Sequence, residues 1–231
     1  MASSYRPVDP QRAALRCATA AAPPVTLAPV RRIVAVGDVH GDLAVLTACL
    51  RAARVATVGG PAGRRSAVRW TGGDTVLVVV GDCVDRWRPG LWDGTGADRS
   101  PGEGAHEEEA VLDVLNELAA QAPRRGGGRV VRLVGNHELM ALEGVEAFAS
   151  PLARRTRDFR RGTPGAARMR ACGALPMVRI GHWTFVHAGL MPGVVRLAAP
   201  HLRPGESVFD LARRELGRGF DRAEDEEGGV E

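Results

Sequence analysis

The sequence contains no lysine, and only 4% of its residues are aromatic. All 31 basic residues are arginine, and they exceed the 27 acidic residues to give a formal net charge of +4. A basic protein can attract polyanions, but these arginines are scattered in short pairs such as Arg64-Arg65, without aromatic residues between them. Such a pattern disfavours nucleic-acid binding, so we expect no nucleic-acid partner.

Long hydrophobic runs are also missing, since no uninterrupted apolar segment approaches the ~18 residues of a membrane-spanning helix. The sequence therefore predicts a soluble protein with no membrane partner.

A C-x-x-C pair is missing too, because the four cysteines are far apart, at Cys17, Cys49, Cys83 and Cys172. Their spacing argues against a zinc ribbon or a disulfide framework and favours a reducing compartment.

The 231 residues, 45% of them hydrophobic, are enough for one domain with a packed core. Residues 1–29 are rich in Ala and Pro with one acidic residue, Asp9, which indicates either a disordered extension or an organellar transit peptide. The predicted location is accordingly the cytoplasm, or a plastid or other organelle. We expect the folded domain at 30–219 and an acidic disordered tail at 220–231.

Apolar strand-like runs alternate with segments of helical spacing through the first part of this domain. That order predicts βαβ units and a parallel sheet. Further along, apolar runs at 177–180 and 183–187 flank Gly181-His182, which predicts an antiparallel hairpin. The earlier predicted elements are strands at 31–36, 75–80 and 129–134 and helices at 43–54 and 107–122.

Four of the predicted strands end in a short polar motif. In parallel α/β sheets, ligands gather outside the carboxyl ends of the strands. The Asp, Asn and His side chains of these motifs are oxygen and imidazole donors suited to divalent Mn, Fe or Zn. One such motif is usually a turn, but four in order predict a metal centre. The motifs are Gly-Asp-Val-His-Gly at 37–41, Gly-Asp-Cys-Val-Asp-Arg at 81–86, Gly-Asn-His-Glu at 135–138 and His-Ala-Gly at 187–189.

Together these motifs resemble those of the calcineurin-like metallophosphoesterases, in particular the phosphoprotein phosphatase branch. The segments Val-Gly-Asn-His-Glu-Leu-Met and Ala-Leu-Pro-Met-Val-Arg-Ile-Gly-His-Trp-Thr-Phe-Val-His-Ala-Gly-Leu-Met-Pro are most similar to Shewanella-like protein phosphatases of bacteria, plants and algae. The resemblance extends from about Ile33 to Leu216. It implies a four-layer α/β/β/α sandwich and two divalent metal ions (Mn, Fe or Zn). The implied ligands are Asp38 and His40 for the first ion, Asp82 as a bridge, and Asn136 and His187 for the second.

The resemblance also implies catalytic roles. Asp85 would orient His137, and His137 would protonate the leaving alkoxide while a metal-bridging hydroxide attacks phosphorus. Arg86 would hold the phosphate, because a guanidinium fork matches two phosphoryl oxygens. Asn136 would also contact the substrate.

Several other polar residues have structural interpretations. Glu138 follows His137 and is interpreted as a helix cap. Cys83, inside the second motif, is interpreted as a buried space-filling residue. Histidines outside the motifs are not expected to bind metal: His106, His182 and His201.

The sequence departs from the family pattern in two places. Trp87 stands where the family usually has glycine, and a predicted surface loop at 88–105 follows it. The family also has a further metal-binding histidine in a downstream Gly-His-Thr strand end, and nothing after His187 matches it; His201 is too close. We therefore expect part of the second sheet to be missing at its C-terminal side and the second ion to bind more weakly. A truncated gene model, a fragment and a divergent, inactive relative all explain this.

The predicted function is metal-dependent hydrolysis of phosphomonoesters on phosphoproteins, at Ser/Thr or Tyr. One alternative keeps the chemistry and changes the substrate to a dinucleoside polyphosphate. The other is a truncated or inactive pseudophosphatase that acts by binding. The sequence leaves the oligomeric state open.

Overall fold

The computed structural model describes residues 24–59, 67–85, 107–146, 158–171 and 173–221. The strands are β1 (Thr26–Leu27), β2 (Ile33–Val36), β3 (Ala56–Gly59), β4 (Ala67–Trp70), β5 (Val76–Val79), β6 (Arg129–Leu133), β7 (Ala174–Leu175), β8 (Met177–Ile180) and β9 (Trp183–Val186). The helices are α1 (Leu43–Ala52), α2 (Glu107–Gln121), α3 (Asn136–Leu142), α4 (Pro164–Arg170), α5 (Pro192–Ala198) and α6 (Val208–Asp221), with 3-10 turns at Ala122–Arg124 and Ala199–His201.

The first sheet is parallel throughout and has the strand order β2-β5-β6-β7. Its central strand β5 is buried at every position, as expected of a strand covered on both faces. Three of its strands, β2, β5 and β6, and the helices α1 and α2 match the predicted elements to within two residues at each end. The βαβ organisation predicted from the apolar periodicity is therefore confirmed.

The two faces of β5 belong to two different hydrophobic cores. Leu77 and Val79 pack in the core that also holds Leu46 of α1 and Leu115 of α2. The alternate residues of β5 pack in a second core with side chains of the second sheet. This alternation follows from the two-residue period of a strand. The second core contains Val76, Val78, Val131, Leu133 and Leu175 from the first sheet, Val178 and Ile180 from β8, and Val25, which precedes β1.

The second sheet has the order β1-β8-β9, with β1 parallel and β9 antiparallel to β8. The β8–β9 hairpin turns at Gly181-His182 as predicted, and Gly181 has a φ of 58°, a value that favours glycine. Helix α6 contacts β8, while α1 and α2 cover the first sheet. The predicted four-layer α/β/β/α architecture is confirmed. Within the described residues, β9 pairs with β8 alone.

The predicted boundary at residue 30 is too late. Thr26 and Leu27 pair with Arg179 and Ile180 of β8, and Val25 is 5% exposed in the second core. A strand of two residues is too short for periodicity to reveal it, which is why the sequence assigned it to the extension. Residues 1–23 lie outside the described part of the chain.

The end of the domain also differs slightly from the prediction, because α6 runs to Asp221 and includes the first two residues of the predicted tail. The rest of the tail, 222–231, lies outside the described residues. None of the described helices combines the length and apolarity required to cross a bilayer.

The small antiparallel sheet of β3 and β4 was not predicted. It is held to α2 by Gln121, whose side chain accepts from the N–H of Trp70 at 2.9 Å and donates to the carbonyl of Val68 at 2.8 Å.

The contribution of the segment at residues 25–27, which contains β1, can be measured with a pair of neighbouring substitutions. Val25→Ala should lower the free energy of unfolding by about 1–3 kcal/mol, because it removes two buried methyl groups from the second core. Thr26→Ala, at the exposed side chain of the next residue, should change it by less than about 0.5 kcal/mol. Urea denaturation followed by circular dichroism measures both. Equal effects would show that Val25 does not belong to the core.

Candidate metal centre

The loops that follow β2 and β5 are joined by backbone hydrogen bonds. The N–H of His40 donates to the carbonyl of Asp82 at 2.8 Å, and that of Gly41 to the carbonyl of Cys83 at 2.7 Å. His40, Asp82 and Asp85 have φ values of 42°, 49° and 68°, in the left-handed region that residues other than glycine rarely adopt. Strain of this kind persists where surrounding contacts hold the backbone in place, and it is common at functional sites.

The loops after β5 and β6 also approach each other closely, and glycine makes this possible. A Cβ at Gly135 would lie 2.2 Å from Asp82 Oδ1 and 2.6 Å from the Asp82 backbone nitrogen. A Cβ at Gly81 would lie 2.6 Å from the Gly135 nitrogen and 2.9 Å from His187 Nδ1. The glycines before Asp82 and Asn136 therefore leave the space in which the polar side chains of the two loops meet.

The Asp82 carboxylate lies at the centre of the site. Its Oδ2 atom is 3.8 Å from Nε2 of His40, 3.9 Å from Nε2 of His137 and 3.3 Å from Nε2 of His187. Donor atoms about 2.1 Å from one ion lie about 3–4 Å from each other. The three separations fit coordination of shared cations by these side chains.

The His187 ring gives a second indication of a cation site. Its Nδ1 donates to the carbonyl of Val80 at 2.8 Å, so Nε2 faces Asp82 Oδ2 at 3.3 Å and Asn136 Oδ1 at 3.0 Å. A ring nitrogen lone pair and two oxygen acceptors repel one another unless a proton or a cation lies between them. Metal-binding histidines typically donate their other N–H to a carbonyl in this way, so these residues fit a divalent ion.

Asp38 lies at the more open side of the site. Its side chain is 51% exposed, and its Oδ1 is 3.8 Å from Nδ1 of His187. The resemblance implies that Asp38 and His40 share one ion; in the structure the Asp38 carboxylate lies beside His187. The five proposed ligands come from four separate strand ends, and the contacts between them place them side by side. They are Asp38, His40, Asp82, Asn136 and His187.

His137 is held by Asp85. Its Nδ1 donates to Asp85 Oδ2 at 2.6 Å, and both side chains are buried. The hydrogen bond directs Nε2 of His137 towards Asp82, and the ring packs edge-on against His40 with 4.9 Å between centroids. The ligand atoms of His40, Asp82 and His137 all lie within 4.8 Å of one another. This geometry suits two roles of His137, proton donor and metal ligand.

Glu138 has a larger structural role than the predicted helix cap. Its buried carboxylate accepts N–H groups from the loop after β5 as well as from Gly135. Burial and the charge of Asp82 raise the pKa of Glu138, while the N–H groups act in the opposite direction. Sequence reasoning missed this role because only the helix cap, Gly135, is close to Glu138 along the chain.

Cys83 is 1% exposed. Burial and the charge of Glu138 raise the pKa of its thiol well above the usual range. A thiol that remains protonated is a poor metal ligand, in agreement with the predicted space-filling role.

Some predicted residues are not in the described part of the chain. Arg86, Trp87 and His106 lie outside it, as does the predicted loop at 88–105. His182 is exposed in the turn of the β8–β9 hairpin, and His201 is exposed in a 3-10 turn. Among the described ion pairs, those of Asp82 are with His40, His137 and His187.

The fold and the site together define a two-sheet α/β sandwich with a candidate metal centre at its strand ends. A family profile for calcineurin-like phosphoesterases matches residues 31–214. The chain belongs to this family, whose members use divalent metal ions.

Similar proteins include phosphatases. The chain is 34% identical over 113 residues to Shewanella-like protein phosphatase 2 of Arabidopsis thaliana, a match that covers 49% of this chain and 22% of that protein. It is also 34% identical over 119 residues to an uncharacterized protein of Schizosaccharomyces pombe, covering 52% of this chain and 28% of that protein.

The fold resembles a solved cold-active protein-tyrosine phosphatase of a psychrophilic Shewanella species, with a TM-score of 0.59 and 22% identity. That match covers 84% of this chain and 52% of the solved chain. The chain thus matches about a quarter of the length of its curated relatives and about half that of the solved phosphatase.

The close approach at Gly135 predicts different effects for two strand-end glycines. Gly135 has a φ of −95°, so alanine suits its backbone, but the added Cβ would displace the Asp82 carboxylate. Gly135→Ala should weaken Mn²⁺ binding at least about tenfold, as when a group that orients a ligand is lost. At Gly37 a Cβ would meet no atom within 4 Å, so Gly37→Ala should bind Mn²⁺ like the unsubstituted protein. Isothermal titration calorimetry on folded samples compares them, and equal affinities would contradict the prediction.

Proposed function

We propose that this chain is a metal-dependent phosphatase that hydrolyses phosphomonoesters on phosphoproteins. The observation that carries the proposal is the convergence of three imidazoles, from loops distant along the chain, on the single oxygen Oδ2 of Asp82. Two similar proteins are named as a protein phosphatase and a protein-tyrosine phosphatase, which supports phosphoproteins as the substrate class.

The proposed ligands supply carboxylate, amide and imidazole donors, a set suited to Mn, Fe or Zn. Divalent cations held there would supply an ionised water as nucleophile and positive charge for the phosphoryl oxygens. Asp82, with a side chain only 5% exposed, would hold the ions in a fixed place, and the Val80 carbonyl would fix the ring of His187. The proposed ligands are Asp38, His40, Asp82, Asn136 and His187.

His137 is the proposed proton donor to the leaving oxygen. An alkoxide is a poor leaving group, so proton transfer from a positioned imidazolium would accelerate its departure. The Asp85 carboxylate, 2.6 Å from Nδ1, would stabilise the charged ring and keep Nε2 directed at the site. Arg86, proposed from its motif alone, would bind phosphoryl oxygens through its guanidinium.

The exposure of the site suits a phosphate group carried on a protein surface. Asn136 is exposed and Asp38 is half exposed, whereas His40, Asp82 and His137 are buried. A phosphoryl group can therefore approach from the side of Asp38 and Asn136 while the inner donors stay in place. Asn136 is accordingly proposed to contact the substrate as well as the metal.

The activity is tested with a phosphopeptide and added Mn²⁺. The protein should bind two equivalents of Mn²⁺ per chain and release phosphate, and Asp82→Asn should reduce both metal binding and turnover, because it removes the central charge. Elemental analysis and a phosphate-release assay measure the two quantities. Metal binding without turnover above the Asp82→Asn background would instead indicate a pseudophosphatase. Faster hydrolysis of a dinucleoside polyphosphate than of the phosphopeptide would reassign the substrate.

The role of His137 is tested separately. If it donates a proton, His137→Ala should lower kcat by about 10²–10⁴-fold and leave Mn²⁺ affinity within about threefold of the unsubstituted value. His182→Ala, at an exposed turn, is the matched control and should change neither quantity. Loss of one equivalent of Mn²⁺ in the His137 variant would show that this ring is a metal ligand.

A further inference from the structure

One buried carboxylate, that of Glu138, connects the loop after β5 to the start of α3. Its Oε1 accepts from the N–H of Cys83 at 2.6 Å and from that of Val84 at 3.2 Å. Its Oε2 accepts from the N–H of Asp82 and from that of Gly135, each at 2.8 Å. Glu138 is only 4% exposed, so water does not compete effectively for these bonds.

We propose that Glu138 is a positioning residue of the metal centre, which fixes the backbone at 82–84 and so directs the carboxylates of Asp82 and Asp85. The inference rests on the proposed metal site and adds a residue that does not itself bind the metal. Each oxygen of Glu138 already accepts two N–H groups, and a carboxylate oxygen has about two lone-pair positions. Neither oxygen is left to coordinate an ion.

A helix cap explains only one of the four hydrogen bonds. In a capping box the residue at this position accepts from the N-cap N–H, here that of Gly135. The other three bonds join residues 54, 55 and 56 positions apart in the sequence. They hold a different loop, the one that carries the central ligand.

The conformation of that loop requires an acceptor at this place. Three consecutive N–H groups, from Asp82 to Val84, point to the same carboxylate, and Asp82 adopts a φ of 49°. Buried N–H groups without an acceptor are costly, so loss of the carboxylate would favour a different backbone path. The side chains of Asp82 and Asp85 would then change direction.

The contact between the two loops is reciprocal. Asp82 Oδ1 accepts from the N–H of His137 at 3.0 Å, while Glu138, the next residue in α3, accepts from the N–H of Asp82 at 2.8 Å. The pair of bonds sets the position of Asp82 relative to Asn136 and His137. Glu138 thus determines how the ligands of one loop face those of the other.

The test is Glu138→Gln, which has the same size but replaces one acceptor oxygen by an NH₂ group that faces N–H donors. Mn²⁺ affinity should fall about 10–100-fold, the usual effect of removing a group that orients ligands. The absorption spectrum of bound Co²⁺ should also change, because ligand directions change. Glu143→Gln is the matched control in the residue that follows α3, since the Glu143 side chain is 58% exposed; its affinity and spectrum should equal those of the unsubstituted protein.

A purely structural role predicts a different result. Glu138→Gln would then lower the melting temperature, yet the folded protein would bind Mn²⁺ and Co²⁺ with unchanged affinity and spectrum, and this outcome would overturn the inference. If Glu138→Gln does not fold, Glu138→Asp carries the same test, because it keeps the charge but withdraws the carboxylate from the loop. Failure of the unsubstituted protein to bind Mn²⁺ or Co²⁺ would refute the metal site itself, together with this inference.

Discussion

The arrangement of the site depends on one buried carboxylate, that of Asp82, and on the groups that surround it. Asp82 directs one oxygen to three imidazoles and the other to the N–H of His137. Because it is buried, its charge acts in a medium that screens it less than water does. Cations bound at the proposed site would balance this charge and satisfy the imidazole nitrogens, so metal binding there would also stabilise the order of these loops.

The strained backbone around Asp82 is held in place by the rigid sheet beneath it. Strand β5 is buried on both faces, between two hydrophobic cores. The loop that follows it therefore begins at a fixed position. Contacts with the neighbouring loops then hold His40, Asp82 and Asp85 at positive φ. The cores thus determine the position of the loops, and hydrogen bonds between loops determine the direction of the side chains.

The sequence predicted those features that local patterns encode. Strands β2, β5 and β6 were predicted from continuous apolar runs, and the candidate site was proposed because each motif follows the end of a strand within two residues. Strand β1 was missed because two residues carry no periodicity. The role of Glu138 and the contact between Asp38 and His187 were missed because both depend on bonds between residues more than 50 positions apart, and nothing in the local sequence indicates such partners.

The two sides of the site differ in how firmly the protein positions them. His40, Asp82 and His137 are buried and held by backbone or side-chain hydrogen bonds, so donors there lose little freedom when an ion binds. Asp38 and Asn136 are more exposed, and their side chains contact His187 at the open side of the site. Since ordering side chains costs conformational entropy, the exposed side chains would lose more freedom than the buried ones if a cation bound at the proposed site. The more open side is also the side from which a phosphoryl group is proposed to approach.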